Sequence, residues 1–176
     1  MKINCQQVFS VSALIAIFSL ISLAQEKLNC DSYRYYSKEQ ISRAKFRGGL
    51  DDKYLTRFTQ ECSESQYFKQ ANDLLIVALE ERAESSLAIA KFYLKKAEEG
   101  NGVIKGAYLR LKEITEKYSR YSKLDEVLFL LVKVNLFLQK DKLEEAKMFY
   151  KRLLDEFPFS NYVCEANKLF NSGQIK

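Results

Sequence analysis

A chain of 176 residues with 47% hydrophobic and 13% aromatic residues can bury a core as one ordinary domain, which argues against global disorder. Six glycines and one proline disfavour a turn-rich β architecture, and 28 basic residues interspersed with 23 acidic ones make no nucleic-acid stripe. The absence of histidine removes the commonest general base, the usual nucleophilic triads and most zinc or copper sites, so no metal and no cofactor is expected.

Residues 1–24 read as a signal peptide. Lys2 provides the positive start, the run from Val8 to Leu23 carries no charge, and Ser22-Leu23-Ala24 places small side chains where a signal peptidase reads them. The competing reading is a retained anchor, but the run is short against the roughly 20 residues of a full span. Lys27 sits where a lipobox needs small residues, which argues against acylation of Cys30, and Cys5 precedes the apolar run. The remaining cysteines, Cys30, Cys62 and Cys164, allow at most one internal pair. No CxxC spacing occurs, and Cys62 and Cys164 read as buried helical thiols.

Residues 25–36 show little periodicity and read as a flexible lead-in. Residues 37–82 read as N-terminal helices. Ser37 with Gln40 forms a capping box for a short helix that Gly48-Gly49 stops. Asp51 or Asp52 caps the next, with Leu55 and Phe58 on its apolar face. Between Arg34 and Arg57 basic residues outnumber acidic ones, read as a solvated face rather than a dock for an acidic partner. From Ser65 to Glu99 no glycine or proline intervenes, and a break is expected near Glu80 to Ser85, where a charged cluster meets two serines.

Residues 83–176 read as tetratricopeptide-like repeats with a C-terminal capping helix. Tyr150 and Pro158 follow Ala146 by four and twelve residues, and Phe137 precedes it by nine. These are spacings of a helix hairpin with a period of ~34 residues. Ala146 offers the small side chain for close helix contact, Tyr150 stacks one turn above it, and Phe137 fills the gap from the partner helix. An upstream unit holds Ala90 and Tyr93 on its first helix and Ala107, Leu111 and Ile114 on its second, joined through the loop at Gly100. Ser119 stands at that unit's proline position. Two such repeats are fewer than the roughly three needed for a stable stack, so flanking helices must cap them. The expected class is all-α: antiparallel helix hairpins stacked as a short solenoid.

The stretches AIAKFYLKK (Ala88 to Lys96), GAYLRLKEITEKYSRYSKLDEVLFLL (Gly106 to Leu131) and EEAKMFYKRLLDEFPFSNY (Glu144 to Tyr162) carry a likeness to a known family. With the export signal, the chain resembles the BamD family of the outer-membrane β-barrel assembly machinery, over about half its length. The resemblance implies a periplasmic, outer-membrane-associated scaffold that binds envelope proteins of that machinery. Peripheral association is the membrane contact expected, and Tyr93, Tyr108 and Phe137 are candidate partner anchors, with core packing as the competing role. The alternatives are a periplasmic adaptor for another process, such as cell-wall coordination, and, more remotely, an enzyme built on carboxylates such as Glu144, Glu145 and Asp155. No phosphate loop or convergent site accompanies those three in the sequence.

Overall fold

The computed structural model describes residues 28–35, 37–46, 49–100, 103–137 and 142–171. The apolar run from Val8 to Leu23, expected to belong to a signal peptide, lies outside them, as do the inter-helix turn at Gln139 and residues 172–176. Among the described residues the secondary structure is entirely helical: α1 (Lys38–Phe46), α2 (Asp52–Glu61), α3 (Phe68–Glu98), α4 (Ile104–Lys117), α5 (Leu124–Phe137), α6 (Leu143–Glu156) and α7 (Asn161–Asn171). None of these is long and apolar enough to cross a membrane.

Local chemistry sets the ends of these helices. Ser37 Oγ accepts from the Gln40 N–H while Gln40 Oε1 accepts from the Ser37 N–H, closing the capping box of α1. Asp51 Oδ1 accepts from the Tyr54 N–H and caps α2. Gly100 (φ +77°) follows the end of α3 in the left-handed region, where a side chain would be strained.

Consecutive helices from α2 onward pack against each other, and α7 closes the stack against α5 and α6. Side-chain links recur at separations of 35 to 37 residues, two of them between helices and the others through the lead-in or the turns. Lys91 meets Glu126 and, two turns further along both helices, Glu98 meets Lys133, so α3 and α5 run parallel and in register. Tyr108 on α4 reaches Glu145 on α6 in the same way. The helices therefore form two layers, with α3, α5 and α7 in one and α4 and α6 in the other.

One turn geometry recurs at three helix junctions. Cys62, Tyr118 and Phe157 end α2, α4 and α6 with nearly the same backbone angles (φ −120°, −125°, −135°; ψ 43°, 52°, 56°). Each donates its N–H to the carbonyl four residues back, and the residue three further on (Ser65, Tyr121, Ser160) donates to its carbonyl. A third bond closes the motif, from Phe68, Leu124 or Val163. Two repeats were expected from the sequence, but this turn recurs a third time, at Cys62.

The last two turns lie 39 residues apart, whereas the first two lie 56 apart. The excess of 17 residues resides in α3, whose 31 residues exceed the 14 of α5 by that number. The break expected near Glu80 to Ser85 does not occur. With no glycine or proline, helix hydrogen bonding continues, and the charged cluster is satisfied sideways instead. Glu80 holds Ser122, Glu81 pairs with Lys45, and Arg82 pairs with Asp52.

The alanines along α3 show why it can serve two cores. Ala71 and Ala78 stand seven apart, as do Ala83, Ala90 and Ala97, but five residues separate the two sets. At about 100° per residue, that step turns the small-residue stripe by roughly 140°. The first set packs into a small core around Tyr33, Tyr35, Leu55 and Phe58, and Ala83 and Ala90 of the second pack into the main core with Leu111, Leu128, Leu131 and Leu153. The domain boundary expected between 82 and 83 falls inside this helix, where one core gives way to the other.

The lead-in expected to be flexible is packed where it is described. Tyr33 and Tyr35 are buried, Tyr33 among the rings of Tyr54, Phe58 and Tyr67, and Tyr35 Oη accepts from the Asp51 N–H. Cys30 is bonded to Cys62, so Cys62 is not a buried thiol, and Cys164 is free and exposed rather than buried. Aromatic burial gives this segment the free energy of ordering that its weak periodicity did not disclose.

The disulfide closes a sequence separation of 32 residues, for which loop-closure entropy alone gives about 3–4 kcal/mol. Replacing Cys30 and Cys62 with alanine is expected to lower unfolding free energy by up to that amount, and Leu128→Ala to cost about 2–5 kcal/mol. Urea melts of the three proteins, the cysteine variant with and without reductant, check both; reductant should leave the cysteine variant unchanged.

Candidate docking groove

Because α3 continues unbroken, its N-terminal half lies beside the turn between α4 and α5, with a groove of about 310 Å³ between them. One wall is a helical stripe, Leu75, Ile76 and Leu79, at spacings that place all three on one side of α3. Tyr118 and Tyr121 of the turn form the other wall. Ile76 remains 55% exposed and Val77 beside it 38%, so the stripe is only partly covered.

Polar groups fix the turn against α3. Tyr121 Oη donates to Glu84, which also receives Lys123 Nζ at 2.7 Å. The Lys123 ammonium, then the Tyr121 hydroxyl, hold the Glu84 carboxyl below its ordinary range. Burial first, and Glu84 second, hold the Tyr121 hydroxyl protonated well above its ordinary pKa. Glu80 accepts from both the N–H and the hydroxyl of Ser122. Of the basic groups on the groove, Lys117 pairs with Glu113, and exposed Arg120 pairs with no carboxylate among the described residues.

The residues expected to pack the repeats mostly lie at helix contacts. Ala90, Ala107, Leu111 and Ala146 are fully buried. Tyr93 is half-buried and lies over Gly106, where an added Cβ would stand 3.2 Å from its ring. The glycine thus allows the close approach of α3 and α4. Tyr150 ties α6 to α7 through its ring against Phe170 and its hydroxyl to Asn167. Pro158 is exposed in the third turn. Phe137 does not fill the inter-helix gap: it closes α5 at 52% exposure, and Leu131 and Val134 occupy the interior.

Of the candidate anchors, Tyr93 and Tyr108 are engaged internally. The Tyr108 hydroxyl donates to Glu145 at 2.5 Å, and Lys112 and Lys142 approach its ring. Burial raises the Glu145 carboxyl, but Tyr108 and Lys142 outweigh it and leave its pKa lowered. Glu144 pairs with Lys147, and Asp155 is exposed elsewhere on α6, so the three carboxylates are not brought together. No cluster of three or more cysteine, aspartate or glutamate side chains among the described residues could hold a metal ion.

Sequence reasoning missed Leu75, Ile76, Leu79 and Arg120 as a site, because the expected break in α3 would have carried the stripe away from the turn. The available signal was the uninterrupted helical spacing itself. No protein-family model, curated protein or solved structure matches the chain.

Glu84, Glu113 and Glu145 all have lowered pKa values, so the stabilisation they contribute is present above the ordinary 4.5 and lost as pH falls through the folded values. Without histidine, the thermal midpoint is expected to be flat from about pH 5.5 to 7.5 and to fall below about 4.5. Thermal melts across that range check it, and a step near pH ~6.5 would contradict it.

Proposed function

We propose that the protein is an exported helical-repeat scaffold that docks proteins of the cell envelope, in the setting of outer-membrane β-barrel assembly. The observation that carries the reading is the threefold recurrence of one inter-helix turn in a two-layer stack, which supports a tetratricopeptide-like architecture. Stacks of this kind expose extended surfaces to partners rather than enclosing reactive groups. The Cys30–Cys62 bond favours an oxidising compartment, in keeping with the export signal at residues 1–24. The partly covered stripe on α3 offers a place for a partner.

The BamD-like likeness supplies the choice of process. Its stretches form the second half of α3, the groove-bearing turn and the last hairpin. Expressed as the full chain in a bacterium with an outer membrane, the protein is expected to lose residues 1–24, start at Gln25 and carry oxidised Cys30 and Cys62. Intact mass with and without reductive alkylation reads both. Affinity capture from envelope extract is expected to enrich barrel-assembly components. Enrichment of cell-wall enzymes alone would move it to the adaptor role, and no envelope protein at all would remove the scaffold reading.

A further inference from the structure

The three recurring turns also share what they touch. In each, the third and fifth residues after the cap residue reach the element that precedes them in the layer of α3, α5 and α7. At the turn capped by Phe157, the Ser160 hydroxyl donates to Asp125, and the Tyr162 ring stacks on Phe129 at 5.2 Å and 20°. Asp125 and Phe129 lie in the first two turns of α5. At the turn capped by Tyr118, Tyr121 and Lys123 both donate to Glu84 of α3. At the turn capped by Cys62, the element reached is the lead-in, residues 28–35, which are not helical. The Ser65 hydroxyl donates to the Cys30 carbonyl, and the Tyr67 ring stacks on Tyr33 at 5.4 Å and 21°. Cys30 and Asp125 each precede their serine by 35 residues. The lead-in therefore fills the place of a helix, and the Cys30–Cys62 bond ties it there.

We propose that the lead-in is a latch over a helix-accepting face at Cys62 to Gln70, and that an amphipathic helix of a partner protein replaces it once a dithiol opens the Cys30–Cys62 bond. The inference rests on the scaffold reading and names the chemistry of a partner and of its control. The face specifies the helix. An acidic side chain accepts from Ser65, and an aromatic ring four residues later stacks on Tyr67, as Asp125 and Phe129 do at Ser160 and Tyr162. That spacing puts both side chains on one side of a helix. Departure of Tyr33 uncovers Phe58, against which its ring lies at 4.8 Å, and the incoming ring covers it again.

Cys62 is buried and Cys30 only partly so, which makes Cys30 the sulfur open to attack. One thiolate of the dithiol bonds to Cys30 Sγ, the bond to Cys62 breaks, and Cys62 leaves as a thiolate that takes up a proton. The second thiol of the dithiol then displaces Cys30, which leaves as a thiolate and is protonated in turn. The dithiol departs as its own disulfide, and two electrons have passed to the protein. Without the cross-link the lead-in regains the freedom that loop closure removed and competes less well for the face.

The full chain with Cys164→Ala, which removes the third thiol, tests the proposal when oxidised and when reduced by dithiothreitol. Reduction is expected to quicken hydrogen exchange about tenfold at the amides of residues 28–35 while α2 keeps its rates. A fluorescein-labelled peptide, Ala-Leu-Asp-Glu-Leu-Leu-Phe-Lys-Ala-Leu-Lys-Lys, should bind the reduced chain about tenfold more tightly than the oxidised one by anisotropy. Alanine in place of its phenylalanine should weaken binding, and the bound peptide should slow exchange at residues 62–70. Tyr33→Ala, which keeps the bond but removes the ring, should give the oxidised chain part of the same gain. Cys30→Ala with Cys62→Ala should bind tightly with or without dithiothreitol. Unchanged exchange at residues 28–35 overturns the latch, as does equal loss of protection across α2, which would make the bond a staple of the whole small core. No binding, equal binding in both states, or protection elsewhere overturns it too. A dimer that forms on reduction would make a second copy the occupant and overturn it equally. Envelope capture separates the two readings. Equal capture by oxidised and reduced chains sinks the latch and leaves the scaffold standing, while no capture in either state sinks the scaffold.

Discussion

The structure depends on α3 being one helix. Its 31 residues pass through two hydrophobic cores without a hinge. Neither core is covered by α3 in the same direction, because the alanine stripe rotates between Ala78 and Ala83. A helix that bent at Glu80 would have folded its first half back on the stack. Continuity instead places both cores along one helix. The polar cluster at the crossing, from Glu80 to Glu84, then acts as a brace, because its members reach outward to Lys45, Asp52, Ser122, Tyr121 and Lys123. These pairs are mostly half-exposed, and their individual contributions are small. Their effect is to fix direction, while burial of Leu87, Leu94 and the facing leucines supplies the stability.

The same continuity couples the N-terminal segment to the groove. The Cys30–Cys62 bond, the Tyr33 ring stack and the Ser65 hydroxyl on the Cys30 carbonyl anchor the lead-in beside the start of α3. Leu75 of the groove stripe borders that same core, and Ile76, about 100° further round the helix, stays 55% exposed. Packing the lead-in on one face therefore leaves Ile76 uncovered on another, and the unbroken helix presents an ordered wall. A surface ordered before binding spares the partner the entropy of assembling it.

Much of the helical organisation was legible from residue spacing. The capping box at Ser37 and Gln40, the Asp51 cap, the Gly100 stop and the buried faces of Ala90, Ala107, Leu111 and Ala146 all follow from local chemistry and the helical period. Phe137 was misjudged because spacing assigns a face but not the end of a helix, where a side chain can turn to solvent. The first copy of the turn was hidden for a different reason. Cys62-x-x-Ser65-x-x-Phe68 resembles Phe157-x-x-Ser160-x-x-Val163 in its backbone bonds far more than in its side chains.

The sequence by itself determined the class, the helices and most of their ends, since these rest on contacts within a few residues. It also limited the chemistry, because a chain without histidine lacks the usual proton shuttle. Only the tertiary structure decided the pairing of Cys30 with Cys62, the burial of Tyr33, the continuity of α3 and the groove beside Tyr118. The disulfide joins residues 32 positions apart and the Tyr121–Glu84 contact residues 37 apart, and which residues meet depends on how the layers stack.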